Sequence, residues 1–102
     1  MTNKEKIMAI QSVIAHPSTE DVYYRLLESI DGLKLNYSDY LITEPINYDM
    51  ELERLQDADF DLATALLTML LKEEQFSNGS LKIRHQNGEV NAVLHRIIQT
   101  LT

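Results

Sequence analysis

The sequence predicts an all-α fold, a single small domain over residues 1–102 with four to five helices around a central apolar helix near 60–75. Apolar residues recur at helical spacing in several separate segments. One segment, 62–71, is apolar except for Thr64 and Thr68, which is typical of a helix surrounded by others. The length of 102 residues, with 44% hydrophobic and 25% charged residues, suits one globular domain.

Two helices are predicted in the first third of the chain, at about 3–15 and about 19–31, because each carries an apolar stripe. Pro17 separates them, since the residue before a proline is pushed out of the helical region. Ser18 is expected to cap the second helix. Gly32 is expected to supply the left-handed residue beyond its end.

The next segment, 33–46, is predicted to be an extended crossing with one short turn. Pro45 argues against a central strand. Several tyrosines fall in and around this crossing, and packing against the core is favoured over lining a groove. Asn47 is then expected to cap a short helix.

The second half holds the strongest helical pattern. Either Asp57 or Asp59 can cap the central helix, and Thr64 and Thr68, four residues apart, can face solvent along one narrow stripe. This helix could be buried within the domain or at a homodimer interface. A final amphipathic helix is predicted over 89–101.

The stretch 72–90 contains two Asn-Gly pairs. Asn-Gly between strands is a strong hairpin signal, but both flanks are helical and no strand is available for pairing. We therefore favour a short helix here over a hairpin strand. Gly79 would end the central helix, Ser80 would cap the short helix, and Gly88 would end it.

The same region carries a resemblance. A Leu-rich helix runs into a charged stretch, followed by Phe, an Asn-Gly pair, a short segment, a second Gly and an Ile/Leu-rich helix. The matching positions are Lys72, Phe76, Asn78, Gly79, Leu81, Gly88, Val90, Val93, Leu94 and Arg96. This arrangement resembles an uncharacterised bacterial family, a domain of unknown function, mainly over 60–100. The chain departs from that family at Lys72, Gln75 and Asn78, where it tends to have arginines and an acid. The resemblance implies helices and no particular chemistry.

The charge is uneven along the chain. The net charge is −7, and residues 18–61 carry twelve acids and three bases. This segment would repel a phosphate backbone, and neither flank has a compensating basic cluster, so nucleic-acid binding is not expected. An acidic surface could instead meet a basic protein partner.

Several other classes of protein are disfavoured. The chain has no cysteine, hence no disulfide or thiolate site. Its beginning does not resemble a signal peptide, and its longest apolar run is half of what a membrane span needs. A cytoplasmic protein without membrane association is expected.

Catalytic and cofactor motifs are weak. His85 and Glu89 have metal-ligand spacing, but Gly88 would break the helix between them. The paired acids are expected at helix starts or on polar faces, where they cap or are solvated. With three glycines, the chain holds no phosphate-binding loop. No metal and no cofactor are expected.

Three hypotheses for function follow. The first is a non-enzymatic, cytoplasmic interaction module that presents an acidic helical face to a protein partner. A homodimer is possible under this hypothesis. The second is a small-molecule binder or enzyme with a pocket at the 72–90 turn. The third is an acidic mimic of nucleic acid that inhibits a DNA-binding protein. The polar groups of the pocket in the second hypothesis are Lys72, Glu74, Asn78, Arg84 and His85.

Overall fold

The structure, a computed structural model, describes residues 1–16 and 19–102. Within them the chain is helical, with six α-helices and two short 3-10 turns. The helices are α1 (Asn3–Ala15), α2 (Glu20–Ser29), α3 (Tyr48–Leu52), α4 (Phe60–Phe76), α5 (Ser80–Gln86) and α6 (Glu89–Leu101), and the 3-10 turns are Tyr37–Tyr40 and Glu53–Asp57. The all-α prediction is confirmed, but the helices number six because the short α3 and α5 are separate elements. The expected cap Ser18 lies outside the described residues.

Helix α4 is central, as predicted. Its residues from Ala63 to Leu71 are buried by this one chain, so its apolar surface needs no partner subunit. The predicted solvent-facing stripe is wrong, because Thr64 and Thr68 are both fully buried. The hydroxyl of Thr64 donates to the carbonyl oxygen of Phe60 at 2.8 Å, and that of Thr68 to the carbonyl oxygen of Thr64 at 2.9 Å. Bonds to the preceding turn satisfy both hydroxyls inside the core.

Four other helices pack against α4. Helix α6 makes the most extensive contact, α2, α3 and α5 make smaller ones, and α1 packs against α6 and α2. The covering helices bury an apolar face each: Ile10 from α1, Tyr23, Leu26 and Leu27 from α2, and Val90, Val93, Leu94 and Ile97 from α6. The prediction of an amphipathic last helix is therefore confirmed, and its apolar stripe lies in the core.

The end of α2 differs from the prediction. Asp31, not Gly32, has the left-handed conformation, with φ of 58°. Asp31 N–H donates to the carbonyl oxygen of Glu28 at 3.2 Å, and Gly32 N–H to that of Leu27 at 2.8 Å, the pair of bonds that defines a Schellman motif. Gly32 is needed for close packing instead, because a Cβ there would lie 2.7 Å from Cγ2 of Thr64.

Two predicted caps are confirmed at α3 and α4. The side-chain oxygen of Asn47 accepts a hydrogen bond from Met50 N–H at 3.0 Å. Of the two candidate caps for α4, Asp59 is used, and its carboxylate accepts from Leu62 N–H at 2.8 Å. Each bond satisfies a backbone donor that the first turn of a helix would otherwise leave free.

A buried glutamate holds the crossing between α2 and α3, which contains the expected short turn. Glu51 is fully buried, contrary to the expectation that the paired acids are solvated. Its carboxylate accepts from Ile42 N–H at 3.0 Å, from the backbone and hydroxyl of Thr43, and from Arg54 Nη1 at 2.9 Å. Burial raises the pKa of Glu51, but these donors outweigh it and hold the pKa below its ordinary value. Arg54 also donates to the carbonyl oxygen of Tyr40 at 2.9 Å.

Candidate ligand-binding cleft

The two Asn-Gly pairs lie between helices. Gly79 and Gly88 both have left-handed backbone, with φ of 92° and 81°. Gly79 separates α4 from α5, and Gly88 separates α5 from α6. The helical interpretation of this stretch is confirmed and the hairpin alternative is wrong, because the segment between the two glycines forms its own helix.

A glutamate from α4 closes the first of these turns. The carboxylate of Glu74 accepts from Gly79 N–H and from Leu81 N–H, both at 2.8 Å. These two bonds hold the pKa of Glu74 below its ordinary value. Ser80, the predicted cap, makes no such bond, and its hydroxyl oxygen is buried without a hydrogen-bond partner in residues 1–16 and 19–102. A residue six positions earlier in sequence therefore caps α5, which local pattern rules do not anticipate.

A cleft of about 610 Å³ opens between the first turn of α2 and the α4–α5 turn. Its volume falls within the roughly 300–1,000 Å³ typical of small-molecule sites. The lining combines a small apolar part with hydroxyl, amide, imidazole, ammonium and carboxylate groups: Thr19, Glu20, Tyr23, Glu74, Asn78, Gly79, Leu81, Lys82 and His85. Tyr23 and Leu81 are buried and supply its apolar part.

One wall of the cleft is stabilised by contacts between α2 and α4. Gln75 Nε2 donates to the Glu20 carboxylate at 3.4 Å and to the Tyr24 hydroxyl at 3.3 Å. Burial, followed by the nearby Glu20 carboxylate, raises the pKa of Tyr24. The Glu20 carboxylate itself lines the cleft.

His85 carries an unsatisfied ring nitrogen in the described structure. Its side chain is half-buried, and its Nε2 atom is buried with no hydrogen-bond partner in the described structure. A buried polar atom without a partner costs about 1–3 kcal/mol. Because a neutral imidazole nitrogen either donates or accepts, according to the tautomer, a bound hydroxyl, amide or amine could satisfy it.

The structure brings together three of the five predicted pocket residues. Glu74, Asn78 and His85 line the cleft, whereas Lys72 and Arg84 do not. Lys72 lies about 200° around the helix from Glu74, and its ammonium group is 5.7 Å from the centre of the Tyr24 ring. Lys72 and Arg84 therefore lie outside this cleft and contact other residues.

Arg84 is the centre of an ion-pair network. It donates to both carboxylate oxygens of Glu73, at 3.0 and 2.9 Å, and to the carboxylates of Asp49 and Glu89, each at 2.8 Å. Hydrogen bonding to Glu73 is the main reason that the pKa of Arg84 is raised. The guanidinium carbon also lies 5.8 Å from the centre of the Tyr48 ring. Arg84 thus links α3, α4, α5 and α6.

Other residues of the cleft were not predicted from the sequence. Lys82 and His85 are three apart on one short helix, so their proximity could have been inferred from helical spacing. Thr19 and Glu20 offered no such signal, because they meet the α4–α5 turn across more than fifty positions of sequence. Glu73 was expected on a polar face but is buried. Its burial depends on the two hydrogen bonds that Arg84 donates from another helix.

Metal-binding clusters and membrane-spanning helices are absent from the described residues. These residues contain no group of three or more His, Asp or Glu side chains that could hold a metal ion. In the same part of the chain, no helix is both long enough and apolar enough to cross a membrane.

Comparisons with known proteins identify the family. No curated protein and no solved structure matches the chain significantly. A family model described as "Family of unknown function (DUF6508)" matches residues 2–101. The expected resemblance to an uncharacterised family is therefore confirmed, and it extends from the predicted 60–100 over nearly the whole chain. The chain belongs to DUF6508, a family of unknown function.

Proposed function

We propose that this protein binds a small polar molecule in the cleft between α2 and the α4–α5 turn. The observation that carries the proposal is the position of His85, which lines the cleft while its Nε2 lacks a partner in the described structure. A ligand that hydrogen-bonds this nitrogen would remove the cost of leaving it unsatisfied. Tyr23 and Leu81 would meet the apolar part of the ligand.

The charges around the cleft favour a neutral or zwitterionic ligand. Glu20 and Glu74 carry negative charge, and Lys82 carries positive charge. Both oxygens of Glu74 are already occupied by backbone N–H groups. The Glu20 carboxylate, which accepts one long bond from Gln75, is therefore the one that would meet a cationic group. Two carboxylates would repel a multiply charged anion such as a nucleotide.

Nuclear magnetic resonance titration of the full chain tests this proposal. A fragment set of neutral, zwitterionic and dianionic compounds would be added to ¹⁵N-labelled protein. We expect neutral or zwitterionic fragments to shift the amide signals of Thr19–Tyr23 and Gly79–His85. His85→Ala should weaken such a fragment about tenfold, the value of one hydrogen bond of about 1.4 kcal/mol.

The control is His95→Ala, the same substitution at an exposed position of α6. It should leave the affinity of those fragments unchanged. The proposal fails if no neutral or zwitterionic fragment shifts these amides, or if the His85 and His95 variants bind equally well.

A second candidate, an acidic surface for a basic protein partner, is favoured by acids at the end of α2. Glu28 and Asp31 are exposed and have no ion pair in the described structure. The last turn of α2 contains no basic residue. Negative charge at a helix C-terminus is unfavourable because it meets the negative end of the helix dipole. Local stability therefore does not explain these acids, whereas a basic partner would.

Affinity capture from a cell lysate, at low and high salt, tests the second candidate. The bait would be the wild-type chain, the double variant Glu28→Gln/Asp31→Asn, and the control Asp39→Asn/Glu44→Gln. A basic protein that is lost at high salt and with the α2 variant, but kept with the control, is expected. Equal capture by all three baits would contradict a role for the end of α2.

A further inference from the structure

A second cleft, of about 580 Å³, lies between the 3-10 turn Glu53–Asp57 and helix α6. Leu52, Leu55 and Ala92 supply its apolar surface, and Glu53, His95 and Arg96 supply its charged or titratable groups. It shares no lining residue with the first cleft. Any ligand here would therefore be recognised by a separate set of side chains.

Arg96 is held in this cleft by uncharged partners. Its Nε donates to the carbonyl oxygen of Ala58 at 2.8 Å, and its Nη1 to the side-chain oxygen of Gln99 at 3.1 Å. Ala58 is fully buried, so the bond to its carbonyl anchors the guanidinium plane against the core. A guanidinium has five N–H donors, and these two bonds use one on Nε and one on Nη1.

Within the part of the chain that the structure describes, Arg96 also lacks a counter-ion, unlike the other half-buried arginines. Arg54 pairs with the Glu51 carboxylate at 2.9 Å, and Arg84 with the Glu73 carboxylate at 2.9 Å. Among the described residues, no carboxylate lies within ion-pair distance of Arg96. A guanidinium that is partly removed from water and held in place, with its charge uncompensated, is suited to binding an anion from solution.

We propose that this cleft binds a small, singly charged organic carboxylate, with Arg96 as the residue that pairs with the carboxylate group. The planar fork of a guanidinium matches the two oxygens of a carboxylate. Leu52, Leu55 and Ala92 would contact the apolar body of the ligand. Glu53 carries a negative charge on the same cleft and would repel a second negative charge, which disfavours a phosphate dianion.

Titration of the full chain with benzoate tests the proposal, with benzamide as a neutral probe of the same shape. Benzoate should shift the backbone amides of residues 52–56 and 92–99 and the side-chain Nε–H of Arg96, and the shifts should saturate. Benzamide should bind at least about tenfold more weakly, because it lacks the charge that pairs with a guanidinium. Inorganic phosphate should not displace benzoate.

Gln99→Glu tests the role of Arg96 directly, because it places a carboxylate where the side-chain amide oxygen of Gln99 now accepts a hydrogen bond from Arg96. It supplies the missing counter-ion while retaining the contact, so the fold should be kept and benzoate binding lost. Gln11→Glu makes the same change at an exposed position of α1 and should bind benzoate normally. Arg96→Lys, which keeps the charge but not the fork, should bind benzoate more weakly than wild type.

The proposal is overturned if benzoate and benzamide bind equally, or if the shifted amides lie away from residues 52–56 and 92–99. It is also overturned if Gln99→Glu, folded by its thermal transition, binds benzoate as well as Gln11→Glu does. The residues tested belong to α6 and to the turn before α4 and do not line the first cleft. A negative result would therefore leave the proposal for the first cleft unaffected.

Discussion

Arg84 and Glu73 are joined at two points, with Nε and Nη2 of Arg84 donating to the two carboxylate oxygens of Glu73 at 3.0 and 2.9 Å. Their side chains are only 15% and 11% exposed. A two-point pair between a guanidinium and a carboxylate fixes geometry as well as charge. It therefore sets the position of the short helix α5 on α4, and with it one side of the first cleft.

Removal of this pair should destabilise the fold. Arg84→Ala leaves the Glu73 carboxylate largely buried without its partner, and we expect the free energy of unfolding to fall by about 2–4 kcal/mol. The loss of stability in Arg84→Lys should lie between that of Arg84→Ala and zero, because an ammonium group cannot bond both carboxylate oxygens in the way a guanidinium does. Urea unfolding measures both. Arg25→Ala, at an exposed position of α2, should change stability by less than about 0.5 kcal/mol, and an equally large loss there would contradict this interpretation.

Glu51 should make stability depend on pH. Its pKa is lowered from 4.5 in the folded protein, since hydrogen bonds outweigh burial. The charged form is thus favoured by folding, and its contribution is present above the unfolded pKa and lost as the pH falls through the folded pKa. Glu51→Gln should cost about 1–3 kcal/mol at pH 7.

The difference between wild type and Glu51→Gln should shrink as the pH falls below the ordinary glutamate pKa of 4.5. Urea midpoints measured at several pH values would show this. Glu53→Gln, two positions away and exposed, serves as the control and should behave as wild type throughout. A difference for Glu51→Gln that stays constant with pH would mean that its charge is not what stabilises the crossing.

The contact between Gly32 and Thr64 should show coupling. In Gly32→Ala the new Cβ would lie 2.7 Å from Cγ2 of Thr64, and overpacking of this kind costs about 1–3 kcal/mol. Thr64→Ser removes that methyl group but keeps the hydroxyl, which bonds to Phe60 and Asp61. A double-mutant cycle by thermal or urea unfolding should show that the alanine costs less in the serine background. Strictly additive effects would place the strain elsewhere.

Replacement of Asp31 should stabilise the protein. Asp31 has a left-handed backbone at the end of α2, a conformation that disfavours residues with a Cβ by about 1–2 kcal/mol. Asp31→Gly should therefore raise the free energy of unfolding by about 0.5–1 kcal/mol. Asp31→Asn removes the charge but not the side chain, so a smaller gain is expected. If thermal unfolding shows an equal gain for both variants, charge and not conformation is the cause.

Local signals predicted the secondary structure well where they were strong. The apolar periodicity of α6 and the run of buried residues in α4 are visible in the sequence, as are the caps Asn47 and Asp59. The count of four to five helices was too low, because the two short helices predicted after Asn47 and after Gly79 are both separate elements among the described residues. Predictions for single residues were less successful at Ser80 and Gly32, because Glu74 caps α5 and Thr64 packs closely against Gly32.

The candidate site was predicted only in part for the same reason. Glu74, Asn78 and His85 are close in sequence, so one turn brings them together around the cleft. The partners of Lys72 and Arg84 come from α2, α3 and α6, and no pattern within 72–90 reveals them. Thr19, Glu20 and Tyr23 complete the cleft from a distant segment.

The sequence by itself determined that the chain is helical, which helix is central and which segments turn, because these properties depend on residues within a few positions of one another. Tertiary structure decided which charges are buried. Nothing in the sequence distinguishes Glu51 and Glu73 from surface acids. Glu51 is buried because Thr43 and Arg54 donate hydrogen bonds to it, and Glu73 because Arg84 does. Burial of a charge depends on a partner in space, and sequence spacing does not specify such partners across separate helices.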